Sequence, residues 1–425
     1  VRLTVAEQSL LAVRPRADEE TGCIDETQAL ALVNTGERMG ARIAAWQGRQ
    51  SLHLQQFVGL VQTKEIQVEI LPKLDGLPRP AQIRQNLLAM LAKTENLAVR
   101  ASEVAGFLES SEPFCCALAR LYTFRLMEAV RRGLRQDYVL HRDLLPHIRG
   151  KVDWSVQSKL HAACRLDLAC SFDERSEDTP VNRILKAALL VTGRMLEGSR
   201  DASIVTELRH AMSEISEPCP PAAHRARLNT DRTNRHLQPL LVLAKLILGN
   251  RNPDLGRSAD GDRDTYSLVW DMNLLFEEYV GHLAQEALEP KGFRVALQDS
   301  STYLARDAAG RNAFRLKPDL LVRLGTKPWA VADTKWKRLD PRQTNLGVSE
   351  ADLYQLLAYV HRFATTRAVL LYPHHPALGL PGLQKEFLIA GKADQSVRVR
   401  IVTLDLARLH EVPDQLEQGL TGAFG

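Results

Sequence analysis

The 425-residue sequence predicts a multidomain α+β protein. Three observations predict it. The opening residues alternate apolar and polar side chains with the two-residue period of strands. Residues from about 82 to 250 repeat their apolar positions at helical spacing, and the stretch after 265 reads helix, strands, helix, strand. The expected division is a β-rich N-terminal domain over 1–80, a predominantly helical middle region over 81–255, and a C-terminal α/β domain over 256–425.

In the first segment the strongest piece is FVGLVQTKEIQVEILPKL. Val58, Leu60, Ile66, Val68 and Ile70 hold the strand period, Gln62-Thr63-Lys64 supplies a polar turn, and Pro72 ends the pattern. In the middle, RQNLLAMLAKTENL, ALARLYTFRLMEAVRRGLR, NRILKAALLVTGRMLEG and LQPLLVLAKLILG are expected helices, with Thr179-Pro180 or Asn182 opening the third. HRDLLPHIRGKVDW between two of them reads as extended or looped. The polar insert NRNPDLGRSADGDRD then precedes a helix expected over 268–288, a hairpin over 318–337, a helix opened by Ser349 and a strand beginning at Ala368. Ser349 and Asp352 have capping-box spacing.

A composition of 45% hydrophobic and 25% charged residues is that of a globular chain. No apolar run is long enough to span a bilayer and no signal-like block opens the sequence, so a cytoplasmic protein with no membrane partner is expected. Six cysteines form no CxxC pair and are read as free thiols, which leaves no support for structural zinc or an iron–sulfur cluster. The net charge of +4 is too small to establish nucleic-acid binding, but the stretch 120–151 carries eight Lys or Arg against three acids. Arg131, Arg132 and Arg135 within it, with Lys337, are the candidate DNA contacts; a solvated helical face explains the same charges equally well. Adjacent His374 and His375 point apart in an extended segment and make a poor metal pair.

The hairpin PDLLVRLGTKPWAVADTKWK carries charge where a core strand should not. Gly325–Pro328 breaks it into DLLVRL and WAVADTK. Asp333 and Lys335 share a face of the second strand, and a turn near Thr326 brings Asp319 beside Asp333. Two carboxylates so placed can hold Mg²⁺ through oxygen, while Lys335 orients water and neutralises phosphate charge. Glu277 on the preceding helix is the candidate third acid, with Glu278 its competitor. On the following helix Asp352, Gln355 and Tyr359 share a face, Gln355 as a catalytic candidate and the other two as supports. An exposed Asp333–Lys335 ion pair with a plain helix–sheet contact is the competing explanation.

PD at 318–319 and DTK at 333–335 resemble the PD-(D/E)xK nuclease superfamily. EILPKL, TPVNRILKAAL, MNLLFEEYV, LKPDLLVR, VADTKWK and DLYQLLAY are together similar to the McrC family of restriction endonuclease subunits, in order from about 56 to 373. Trp336 stands where the family more usually has Tyr. The resemblance implies a PD-(D/E)xK nuclease-like C-terminal domain, with Asp319, Asp333 and Lys335 in catalytic roles and Glu277 and Gln355 supporting. It further implies Mg²⁺ (Mn²⁺ as an alternative), GTP bound by an McrB-like AAA+ partner rather than by this chain, and double-stranded, cytosine-modified DNA as substrate. Partner contact is expected through the N-terminal region, the segment 56–74 included, although FVGLVQ also suits a buried packing strand. Nuclease subunits pairing for a double-strand break are a further expectation. The alternatives are a catalytically inactive DNA-binding or motor-regulating subunit, and a DNA-repair nuclease of the same superfamily.

Overall fold

The structure, a computed structural model, describes residues 2–77, 79–95, 113–216, 237–248, 266–390 and 396–422. Cys219, the insert over 250–264 and the expected boundary at 255 lie outside them. The chain divides into two compact units, one made of Val1–Phe114 with Gly261–Gly425 and the other of Cys115–Asp260. The compact units therefore cut across the chain-order division, because the first unit is built from both ends of the sequence.

The larger sheet of the first unit runs in the order Phe293–Leu297, Leu320–Leu324, Lys327–Thr334, Arg367–Pro373, Val397–Leu404, Gly382–Ile389. Its outer neighbours pair antiparallel, and the two central pairings around Arg367–Pro373 are parallel. A parallel step needs a crossover, and the helix Glu350–Phe363 supplies the one between Lys327–Thr334 and Arg367–Pro373. Leu356, Tyr359, Val360 and Phe363 of that helix are buried with Leu321, Val331, Leu370 and Ile401 of the sheet. Leu320 to Val322, Ala330 to Ala332 and Ala368 to Leu371 are all buried, so these strands read as continuous apolar runs rather than alternating ones.

A second sheet joins the two ends of the chain in the order Arg2–Ala6, Gln67–Leu71, Phe57–Gln62, Tyr266–Asp271. Phe57–Gln62 and Gln67–Leu71 are its interior strands, with Val58, Leu60, Val61, Val68 and Ile70 fully buried. FVGLVQ is thus a packing strand. Residues 268–271, expected to be helical, belong to the edge strand Tyr266–Asp271. The Leu-Val-Trp run there pairs with 58–60, and the helix starts only at Met272, capped by the Asp271 carboxylate, which accepts the Asn273 backbone N–H at 2.8 Å. Gly59 makes the pairing possible: a Cβ there would lie 2.0 Å from the Leu268 carbonyl oxygen.

The β-rich opening also holds a three-stranded sheet of Leu10–Ala12, Ser51–Leu54 and Ala44–Trp46, and a helix, Glu26–Arg38, that the strand pattern did not reveal. Asp25 and Gln28 form its reciprocal capping box. In the other unit Thr179 caps Pro180–Met195 as expected. The segment 141–154 is extended in part, joining the sheet of Asp137–Leu145, Leu168–Ser176 and Lys151–Val152 amid the helices. The architecture is multidomain α+β, with N-terminal sheets, central helices and a mixed C-terminal sheet with helices. Among the described residues no helix is long and apolar enough to cross a membrane.

Candidate active site

The hairpin closes through Gly325–Thr326, with Leu324 opposite Lys327 and Gly325 at a φ of 62°. Two-residue turns of this hand match the strand twist. A bulge between Val322 and Arg323 shifts the register so that Leu320 faces Ala332. Continued by one residue, that register sets Asp319 opposite Asp333. Asp333 is 2% exposed; Asp319, just before its strand, is less covered.

Asp319 Oδ2 accepts two hydrogen bonds of 2.7 Å, from the Thr334 backbone N–H and the Thr334 hydroxyl. Lys335 forms an ion pair with Asp333, lies 3.7 Å from the Asp352 carboxylate, and donates to Gln355 Oε1 at 3.2 Å. Its own backbone N–H continues the ladder to the Leu371 carbonyl. Gln355 donates to the Tyr359 hydroxyl at 2.7 Å, and that hydroxyl donates to the Lys317 carbonyl at 3.1 Å. The chain of donors thus runs from the lysine ammonium back to the residue two before Asp319, and each bond polarises the next.

Burial raises both Asp319 and Asp333; the charge of Glu277 adds to the rise at Asp319, and the charges of Asp319 and then Asp352 add to the rise at Asp333. The Thr334 hydrogen bonds and Lys335 oppose this without cancelling it. Burial on its own lowers Lys335, but the hydrogen bond and charge of Asp333, then Asp352 and Asp319, raise it more, so the net shift is upward. Lys335 is a held cation.

Asp352 does not complete the capping box expected with Ser349, whose side chain makes no cap hydrogen bond. Its carboxylate instead takes Lys337 at 3.1 Å and faces Lys335, a stronger claim on a carboxylate than a neutral cap. Glu277 is held by Gln298, whose amide donates to it, while the Gln298 backbone N–H donates to the Asp319 carbonyl at 3.0 Å. Phe276, beside Glu277, sets that helix against the hairpin through Trp336, their ring centroids 5.3 Å apart.

The structure therefore gathers Asp319, Asp333, Lys335, Lys337, Asp352, Gln355 and Tyr359, with Glu277 electrostatically coupled to Asp319. Arg131, Arg132 and Arg135 lie in the other compact unit, the first two exposed at the end of Phe114–Arg132 and the third paired with Asp137. His374 and His375 are separately engaged, with the Thr403 hydroxyl and the Leu339 carbonyl. Sequence reasoning missed Thr334 and Gln298. Thr334 was legible as the neighbour of Asp333 across from Asp319; Gln298 arrives only through pairing of Phe293–Leu297 with Leu320–Leu324.

Among the described residues no three His, Cys, Asp or Glu side chains form a ready cation cage. The donor chemistry still fits a hard divalent cation. Asp319 and Asp333 offer oxygen only, and two carboxylates whose protonation is favoured by burial and by neighbouring acids are a pair that an added positive charge would relieve.

A family model described as a McrBC 5-methylcytosine restriction system component matches residues 52–373. The chain belongs to this family. This McrBC-family chain is 22% identical over 264 residues, 59% of its length and 74% of the relative's, to the type IV methyl-directed restriction enzyme EcoKMcrBC of Escherichia coli K12. Its fold is similar to a chain in a refined half-complex of Thermococcus gammatolerans McrB AAA+ hexamers with bound McrC, with a TM-score of 0.70 at 18% identity and 99% coverage of both chains. A chain of the Thermococcus gammatolerans McrBC complex is similar at a TM-score of 0.53 and 18% identity, over 68% of this chain and 88% of that one. At these identities the likeness is one of fold.

Proposed function

We propose that this McrBC-family chain is the McrC-type nuclease subunit: it hydrolyses DNA phosphodiester bonds at a PD-(D/E)xK site, in assembly with an McrB-like AAA+ GTPase, against cytosine-modified DNA. The observation that carries the reading is the pairing of two carboxylates across a buried hairpin with a held lysine against one of them. An exposed surface ion pair would have none of that burial. The family match and the fold shared with a chain solved alongside McrB hexamers support the partner.

In this mechanism Asp319 and Asp333 would hold the divalent cation, Mg²⁺ or Mn²⁺, with Glu277, itself held by the Gln298 amide, as a further oxygen donor. When bound there, such a cation would supply Lewis-acid polarisation of the phosphate and a lowered pKa for a water. Thr334 fixes one oxygen of Asp319 so that the other stays aimed. Lys335, set against Asp333 and Gln355, acts as a positioned positive charge where negative charge grows on phosphate. Gln355 and Tyr359 fix the lysine's direction, and Asp352 with Lys337 closes the far side. GTP belongs to the partner.

Calorimetric titration of the purified chain with Mg²⁺ and Mn²⁺ tests the cation assignment. Binding by the wild type that disappears in Asp319→Asn and in Asp333→Asn, both still folded, is expected. Unchanged binding in both variants would place the cation elsewhere.

A further inference from the structure

The strand hairpin Tyr303–Arg306 and Asn312–Arg315 is an insertion that the catalytic reading does not use. It leaves the sheet after Phe293–Leu297 and returns just before Asp319: Leu316 donates its backbone N–H to the Thr302 carbonyl at 2.9 Å, three residues ahead of that carboxylate. The hairpin thus stands at the carboxylate end of the sheet. Between 301 and 317 it carries Arg306, Arg311, Arg315 and Lys317 against one acid, Asp307, which Arg311 already engages.

Two features mark it as a surface built for contact. Phe314 is 75% exposed and sits at a φ of 55°, a backbone conformation that side chains of its size rarely adopt. Core burial therefore does not account for an aromatic ring at that position. On the same hairpin, a groove of about 450 Å³ is lined by Tyr303, Arg306, Asn312 and Arg362. Arg362 donates to the Tyr303 carbonyl at 2.8 Å, tying the hairpin to the helix Glu350–Phe363. On that helix Gln355, Tyr359 and Arg362 fall at offsets of zero, four and seven, one continuous face. The catalytic candidates and the groove therefore share one face of the helix, exposed at Gln355 and at Arg362 and buried at Tyr359 between them. Seven residues of helix span about 10 Å, the rise of about three nucleotides of one DNA strand.

We propose that this hairpin, with Arg306 and Arg362, grips the DNA backbone about three nucleotides from the scissile phosphate, and that Phe314 is its apolar contact with the sugars or bases beyond. The proposal rests on the nuclease reading for its substrate. Duplex DNA suits the surface better than an acidic protein, because the hairpin carries four cations against one acid and stands at the end of the sheet that holds the catalytic carboxylates.

The test uses the full chain carrying Asp333→Asn, which removes cutting, and follows binding of a short duplex by fluorescence anisotropy over a salt series. Arg306→Ala is expected to reduce the slope of log affinity against log salt by about 1, and Arg306→Ala with Arg362→Ala by about 2; Arg306→Lys restores it. Phe314→Ala is expected to weaken binding about fivefold or more with the slope unchanged. Unaltered affinity and slope in the double variant, or no duplex binding by the parent chain at low salt, overturns the proposal. Cleavage by the wild-type chain with its AAA+ partner is read separately. Slope changes without cleavage keep the grip and remove the nuclease reading; cleavage with an unchanged slope does the reverse.

Discussion

At the scale of single residues, the site depends on how few ways its polar groups can be satisfied. Tyr359 shows this best, because its hydroxyl accepts from Gln355 and donates to the Lys317 carbonyl while its ring is buried in the core. Tyr359→Phe keeps the ring and leaves both partners short of a hydrogen bond. A stability loss of about 1 kcal/mol is expected, with cleavage slowed about tenfold because Gln355 no longer holds Lys335 in one direction. Denaturant unfolding and single-turnover cleavage check the two halves; full activity would make the relay ornamental. Glu7 is a second residue whose setting has a measurable consequence. Burial is the largest influence on it and raises it to about 7, against hydrogen bonds from the Lys73 backbone and the Trp336 indole. A carboxyl raised on folding contributes stability that is fully present below its unfolded value near 4.5 and lost as pH rises through about 7. Glu7→Gln is therefore expected to be more stable than the wild type at pH 8, by on the order of 1–3 kcal/mol, with the difference vanishing near pH 4.5. An equal pH slope in both proteins would contradict that account.

At the scale of elements, the hairpin was the most legible part of the sequence. Its turn, the shared face of Asp333 and Lys335, and the approach of Asp319 all follow from strand period and a glycine at the bend. The helix carrying Gln355 and Tyr359 was legible from Ser349, which does stand at its N-cap position. What failed did so for tertiary reasons. Residues 268–271 have apolar side chains that suit helix and strand alike, and only pairing with Phe57–Gln62 decides for strand. Ser349 and Asp352 have the right spacing for a capping box, yet two lysines outside the helix outbid the cap. Gln298 was invisible because its role depends on a strand pairing across some twenty residues. The same pairing makes Gly59 an element-scale prediction. Gly59→Ala drives a methyl group into the Leu268 carbonyl and should cost on the order of 3 kcal/mol or more, read as a lower unfolding midpoint. A midpoint within error of the wild type would mean that the strand Tyr266–Asp271 does not pair closely with Gly59.

At the scale of the whole molecule, the first compact unit is discontinuous in sequence. Strand Tyr266–Asp271 completes a sheet begun at residue 2, Glu7 accepts from Trp336 next to Lys335, and Lys93 pairs with Glu286. A fragment starting at 261 would expose the strand edge and leave the Trp336 indole without its acceptor, so it is expected to lose cooperative thermal unfolding, whereas co-expression with residues 1–114 restores it. A fragment that melts as sharply as the full chain would show the C-terminal sheet to be self-sufficient. The central claim concerns what this unit does with DNA. Its most direct measurement is cleavage of cytosine-modified and unmodified duplexes by the chain with its AAA+ partner, Mg²⁺ and GTP, for wild type and Asp333→Ala. The account predicts cutting of the modified duplex that vanishes in the variant while the folded complex persists. A folded wild-type complex that hydrolyses GTP and binds DNA but never cuts, or a variant that cuts as well as the wild type, would contradict it.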